Sequence, residues 1–125
     1  MSEPRRNDHV RVRPRRLRRT SALRQLVTET RLHPSDLVLP LFYREGLVSP
    51  KAIPSMPGVV QHTEDSLRVA VNDAAAAGLG GIMLFAVPEK RDELGSGATD
   101  PDGALNFAVR TALKEVGDTC VVMAD

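Results

Sequence analysis

The stretch "GIMLFAV", residues 81–87, runs for seven positions without a polar side chain. A strand with one face in water alternates polar and apolar residues, whereas a strand of a parallel sheet reads as an unbroken apolar run because helices cover it. An interior strand, covered on both faces, is therefore expected here. The residues before it agree: "HTEDSLRVAVNDAAAAGLG", 62–80, predicts a helix with Thr63 as N-cap and Gly78 as its stop. Glu64 and Asp65 fall in the first turn, where the helix dipole favours negative charge, and Leu67, Val71, Ala74 and Ala75 make the apolar stripe.

Downstream, the polar loop "PEKRDELGSGATD" leads into "PDGALNFAVRTALKEVG", residues 101–117. This predicts a second helix, with Asp100 placed to cap, Pro101 at the first helical position and Gly117 at the end. Its stripe is Leu105, Val109, Ala112, Leu113 and Val116. "TCVVMAD", 119–125, follows as another strand. Upstream, "DLVLPLFY", 36–43, has strand length, with Pro40 expected near an edge or at a bulge because proline cannot donate to a ladder. Between them "REGLVSPKAIPSMPGVVQ", 44–61, holds three prolines and two glycines and is expected to be irregular over most of its length. The order is βαβαβ, whose crossovers should be right-handed.

Composition fits an α/β class. The chain has 125 residues, 42% hydrophobic and only 3% aromatic, enough for one domain core built of small aliphatic side chains. The net charge of +1 is unevenly spread: residues 1–19 carry eight arginines and a net +6, leaving −5 for the rest. Two prolines and little apolar periodicity mark this segment as an arm, followed from Thr20 by a short helix with Leu23, Leu26 and Val27 on one face. The arm with its helix is taken as residues 1–35 and the strand-helix region as 36–125. Cys120 is the only cysteine, so no internal disulfide is possible and a reducing compartment is expected. No apolar run approaches the roughly 20 residues of a bilayer span. The basic N-terminus lacks an apolar stretch after it, which argues against a secretory signal, and a cytoplasmic location is expected.

Several local features could carry chemistry. "GSG", Gly95–Gly97, lies in a strand-to-helix loop of the kind that cradles phosphate, but Asp100 stands where a dinucleotide fingerprint needs its third glycine. "GLGG", 78–81, follows a helix and precedes a strand, so it reads as a helix stop and tight turn. His9, His33 and His62 are scattered without metal-ligand spacing, and Cys120 has no base beside it, which makes it a small core residue. The arginine arm suits either phosphate contacts, which would make the chain a small nucleic-acid-binding module, or a wrap around a neighbouring subunit. The absence of interleaved aromatics weighs against nucleic acid. Asp125 is the strongest site candidate, because parallel α/β folds bind ligands beyond the carboxyl ends of their strands.

Taken in order, "RPRRLRR", "DLVLPLFYREG", "AIPSMPGV", "GIMLFAVPEKRDELGSGA" and "VVMAD" resemble the N-terminal part of the porphobilinogen synthase family, the 5-aminolevulinate dehydratases. The resemblance implies a TIM-type (β/α)8 barrel of which this chain supplies the arm and about three βα units. It also implies a homo-oligomer, usually an octamer, embraced through the arm, with no nucleic acid and no membrane as partner. The implied reaction condenses two molecules of 5-aminolevulinate to porphobilinogen with loss of water, on the route to haem. Its Schiff-base lysines belong to later strands; Lys51, Lys90 and Lys114 match neither family motif, so none is assigned that role. Zinc or magnesium is implied for the full-length family member, with ligands beyond "VVMAD" and none in this segment. Asp125 matches a pocket residue, with an electrostatic role towards ammonium or iminium charge. The resemblance also implies that roughly two hundred residues of a typical member are missing, barrels of this kind ranging from about 200 to more than 400 residues. The segment alone is expected to be inactive and, with raw strand edges, prone to aggregate.

Overall fold

A computed structural model of the chain describes residues 15–125. It divides between Arg31 and Leu32 into two compact units. Within the first, a 3-10 turn at Arg16–Arg18 precedes helix α1, Ser21–Leu26. Thr20 is extended and its Oγ1 accepts from the Leu23 amide at 3.1 Å, satisfying one of the orphan donors of the first turn. Leu17, Leu26 and Val27 are exposed. The first part of the arginine arm, and His9 with it, lies outside the described residues.

The second unit, Leu32–Asp125, opens with a 3-10 turn at Pro34–Asp36. Five strands follow in one sheet: β1 (Val38–Arg44), β2 (Lys51–Ala52), β3 (Val60–His62), β4 (Gly81–Val87) and β5 (Val121–Ala124), in the order β2-β3-β1-β4-β5. All neighbours are parallel except β2 and β3. Helix α2 (Glu64–Ala76) leads into β4 and helix α3 (Ala104–Val116) joins β4 to β5.

The helices cover one face only. Leu41 and Tyr43 of β1, Ile82 and Leu84 of β4, Leu67, Val71 and Ala74 of α2, and Ala104, Ala108, Ala112 and Val116 of α3 form one core, to which Cys120 also belongs. Leu67, Val71, Ile82 and Leu84 are fully buried. Each contributes about 1.5–3 kcal/mol relative to exposure. Parallel strands laid down in sequence order β1-β4-β5, with both helices on the same face, are the pattern of a singly wound barrel; a doubly wound sheet would place helices on both faces.

The structure corrects four sequence expectations. β4 is interior to the sheet as expected, but it is not covered on both faces: Met83, Phe85 and Val87 on the face away from the helices are only half-buried. The stretch 44–61 is less irregular than its prolines suggest, because β2 and β3 pair antiparallel around a turn held by Ile53 N–H to Val59 O and Val59 N–H to Met56 O, both 3.0 Å. Strands of two and three residues are too short to show periodicity. α3 starts at Ala104, with Gly103 as N-cap; Asp100 instead accepts the Asp102 amide at 2.9 Å in a turn before the helix. Finally, Leu113 is 47% exposed, and the buried side of α3 is the small-residue row of Ala104, Ala108, Thr111 and Ala112 with Val116.

α2 follows expectation. Thr63 Oγ1 accepts from Ser66 N–H and Ser66 Oγ accepts from Thr63 N–H, a reciprocal cap, and Gly78 stops the helix at φ 75°. Gly80 has a separate reason to be glycine: a Cβ there would lie 2.0 Å from the Ser35 carbonyl oxygen, so the 3-10 turn and the turn into β4 pack backbone against backbone. Among the described residues no helix is long and apolar enough to cross a membrane.

Candidate active site at the carboxyl ends of the strands

Because β1, β3, β4 and β5 run parallel, their carboxyl ends open onto one side of the sheet. The ladder registers decide which side chains share the uncovered face. Phe42 pairs with Phe85, Met83 with Met123 and Phe42 with Gln61, so Phe42, Arg44, Gln61, Met83, Phe85, Val87 and Met123 stand on it together. Phe42 and Phe85 stack with centroids 5.2 Å apart. Arg44 Nη1 donates to Gln61 Oε1 at 3.4 Å, which holds the half-buried guanidinium over the end of β1.

Asp125 continues this pattern. Its amide donates to Leu84 O at 3.2 Å, extending the β4–β5 ladder by one residue, and alternation puts its side chain on the face of Met123 and Phe85. The exposed carboxylate thus stands at the carboxyl end of β5, on the same apolar face as Arg44 at the end of β1. The sequence singled out Asp125 but missed Arg44, which it assigned to the start of the irregular stretch. The parity of Arg44 with Phe42 was the signal that could have found it.

Beside this face, the loop after β4 encloses an open cleft of about 850 Å³, lined among others by Glu45, Glu89, Lys90, Arg91, Asp92 and Ser96. Glu45 Oε2 accepts the Glu89 amide at 2.9 Å, tying the loops after β1 and β4 together. The "GSG" turn does not present a vacant phosphate cradle. Gly95 takes the left-handed conformation at φ 63°, and Asp92 occupies the turn, accepting from the Ser96 amide at 2.9 Å and from the Ser96 hydroxyl. These hydrogen bonds from Ser96 hold the Asp92 carboxyl below the usual carboxylate range.

On the helix side, Tyr43 is buried against Phe107, with centroids 5.7 Å apart. Its hydroxyl titrates above the usual tyrosine value, through burial first and then the nearby charges of Glu45 and Glu64. His62 Nδ1 lies 3.1 Å from Ser66 Oγ, and burial lowers its pKa. His33 Nδ1 accepts from the Ser35 amide at 3.3 Å, a local cap far from the site. Lys51, Lys90 and Lys114 are all exposed, the opposite of the desolvated pocket that makes a lysine nucleophilic. Among the described residues no group of three His, Cys, Asp or Glu could hold a metal ion. The zinc or magnesium implied by the resemblance therefore has no donor set among them.

Comparison with known proteins accounts for this arrangement. The family model described as delta-aminolevulinic acid dehydratase matches residues 11–125. A delta-aminolevulinic acid dehydratase of Streptomyces coelicolor is 56% identical over 116 residues, covering 91% of this chain and 35% of its own. One from Mycobacterium tuberculosis is 54% identical over 121 residues, covering 95% and 37%. A crystal structure of delta-aminolevulinic acid dehydratase (porphobilinogen synthase) from Toxoplasma gondii, in complex with the reaction product porphobilinogen, superposes with a TM-score of 0.73 at 35% identity. It covers 94% of this chain and 33% of that one. The chain spans about a third of the length of the relatives it matches, and its one-sided sheet corresponds to part of a TIM barrel. With the match extending over nearly all of its residues, the chain belongs to the delta-aminolevulinic acid dehydratase family.

Proposed function

We propose that this chain forms the opening third of a cytoplasmic porphobilinogen synthase, which condenses two molecules of 5-aminolevulinate to porphobilinogen with loss of water. The observation that carries the reading is the pairing of the family match with an acid, Asp125, at a strand's carboxyl end on the uncovered face. That face is the interior of the barrel, and its upper rim is where such barrels place their chemistry.

In this reading Asp125 acts electrostatically. Its carboxylate faces the ammonium or iminium charge of the substrate beside the apolar side chains of Phe85 and Met123. The Schiff-base lysines come from strands beyond this stretch, as do the ligands for zinc or magnesium. The basic arm embraces a neighbouring subunit in a homo-oligomer, an octamer by analogy with the family.

The test joins this chain to the remaining two-thirds of the Streptomyces coelicolor relative. The chimera is expected to form porphobilinogen from 5-aminolevulinate, and the 125-residue chain alone is expected to form none. Asp125→Asn in the chimera should lower turnover by about 10²-fold, the scale of losing one preorganised electrostatic contact, with the barrel's far-UV dichroism unchanged. A folded chimera without activity would refute the function; full activity of Asp125→Asn would remove Asp125 from the site.

A further inference from the structure

The two edges of the main sheet are built differently. Glu45 N–H donates to Val87 O at 3.1 Å and Gly81 N–H to Leu37 O at 3.3 Å, so odd-numbered residues of β1 direct their backbone groups towards β4. By alternation, Val38, Pro40, Phe42 and Arg44 direct theirs to the opposite edge. There β3 pairs at Phe42 and Tyr43 only. On the part left uncovered, Pro40 has no N–H, and Val38 is the single donor beside the carbonyls of Val38 and Pro40. A groove of about 180 Å³ runs along it, lined by Leu39, Pro40, Leu41, Phe42, Val59 and Val60.

The strand outside β3 continues the guard. β2 is two residues long, carries the exposed Lys51, and has Pro50 and Pro54 close by. Short edge strands, lysines and prolines are the features that stop one sheet adding to another. β5, four residues long, carries neither lysine nor proline. Val121 N–H bonds Gly80 O at 3.1 Å and Asp125 N–H bonds Leu84 O, which leaves Val122 and Ala124 with both donors and acceptors on the outer edge.

We propose that the free edge of β1 is a guarded closing edge: the β2–β3 hairpin blocks Phe42 and Tyr43, and Pro40 removes the donor below them. It accepts one occupant, a parallel strand from the rest of the same protein, paired over Val38–Leu41 alone and supplying most of the donors itself. The chain's length, a third of its relatives', and the partial-barrel match argue for that occupant, so the inference rests on the barrel reading above. The hairpin acts as a stop that sets how far the closing strand rides up β1. Adventitious association is directed to the β5 edge, where the next unit of the barrel belongs.

Amide exchange on the chain alone and on the chimera tests this. Peptides covering Val60–His62 should exchange equally slowly in both, while the peptide containing Val38 gains protection only in the chimera. Loss of protection over Val60–His62 in the chimera, or no gain at Val38, overturns the assignment. A chimera that closes in this way yet makes no porphobilinogen leaves the edge assignment standing and refutes the proposed function instead. In the 125-residue chain, Pro40→Val restores the donor and is expected to shorten the lag before light scattering several-fold, whereas Val122→Pro should lengthen it. An unchanged lag for Pro40→Val, in a chain whose α2 and α3 amides stay protected, also overturns the guard.

Discussion

Replacing Gly80 by alanine adds one methyl group, and the structure says where it must go. The new Cβ would lie 2.0 Å from the Ser35 carbonyl oxygen and 2.9 Å from its carbon. Ordinary carbon contacts begin near 3.5 Å, so backbone on one side must retreat by more than about 1 Å. Neither side can do so freely. Ser35 belongs to the Pro34–Asp36 turn, held by His33 N–H to Asp36 Oδ2 at 2.9 Å, and Gly80 O accepts the first bond of β5 from Val121 N–H. Overpacking of this kind costs about 1–3 kcal/mol, and backbone on both sides puts Gly80→Ala at about 3. Gly78→Ala is the control. Its φ of 75° imposes the left-handed penalty, about 1–2 kcal/mol, but its Cβ would meet only Pro34 Cβ at 4.0 Å. Urea titration followed by far-UV dichroism, with the fitted slope checked for two-state behaviour, should rank wild type above Gly78→Ala above Gly80→Ala. A Gly80→Ala chain as stable as Gly78→Ala would refute the backbone-to-backbone packing of these two turns.

Three further predictions rest on the hydrogen-bonded groups. Burial lowers the pKa of His62, so the folded state binds its proton less readily than the unfolded chain does. The stability this contributes is complete above the unfolded value of about 6.5 and is lost as pH falls from there to the folded value; His62→Gln should flatten the decline between pH 7 and 5, and equal slopes for both chains would discount the group. Arg68 bridges Glu64 at 2.6 Å on α2 and Glu115 at 3.0 Å on α3 with its side chain 40% exposed. A double-mutant cycle on Arg68 and Glu115 should therefore give a coupling below about 1 kcal/mol, and a coupling of about 3 would show the pair to be desolvated. Ser96→Ala removes the first cause of the lowered Asp92 pKa, and a carboxyl-carbon titration by NMR should show it rise towards the ordinary range; no change would place the Asp92–Ser96 contact in doubt.

The elements with strong local signals were legible in the sequence. β4, α2 and its Thr63 cap, and the strand before Asp125 followed from apolar runs, helical spacing and capping chemistry. What was not legible depended on partners distant along the chain. β3 exists because it lies against β1, and β2 because it pairs with β3, while α3 presents its alanines inward because small side chains let it pack closely on β1, β4 and β5; a rank by hydrophobicity picked Leu113 instead. Arg44 was invisible as a site residue for the same reason, since its face is defined by the ladder with β4 and the bond to Gln61. Pro40 is the converse: expected near an edge, it sits inside β1 with its missing donor turned to the side that β3 leaves bare.

The alanine row on α3 gives the outside of this molecule a hold on its inside. Ala104, Ala108 and Ala112 set the spacing between helix and sheet, and α3 is also the connection that delivers the chain to β5. A bulkier residue at Ala108 would act as a shim, tilting β5 and swinging Asp125 at its tip, though no atom of Ala108 reaches the uncovered face. In the proposed enzyme such a substitution would reach the rim from the helix side, at the cost of about 1–3 kcal/mol that overpacking a buried site carries, and a screen confined to the rim of the barrel would overlook it.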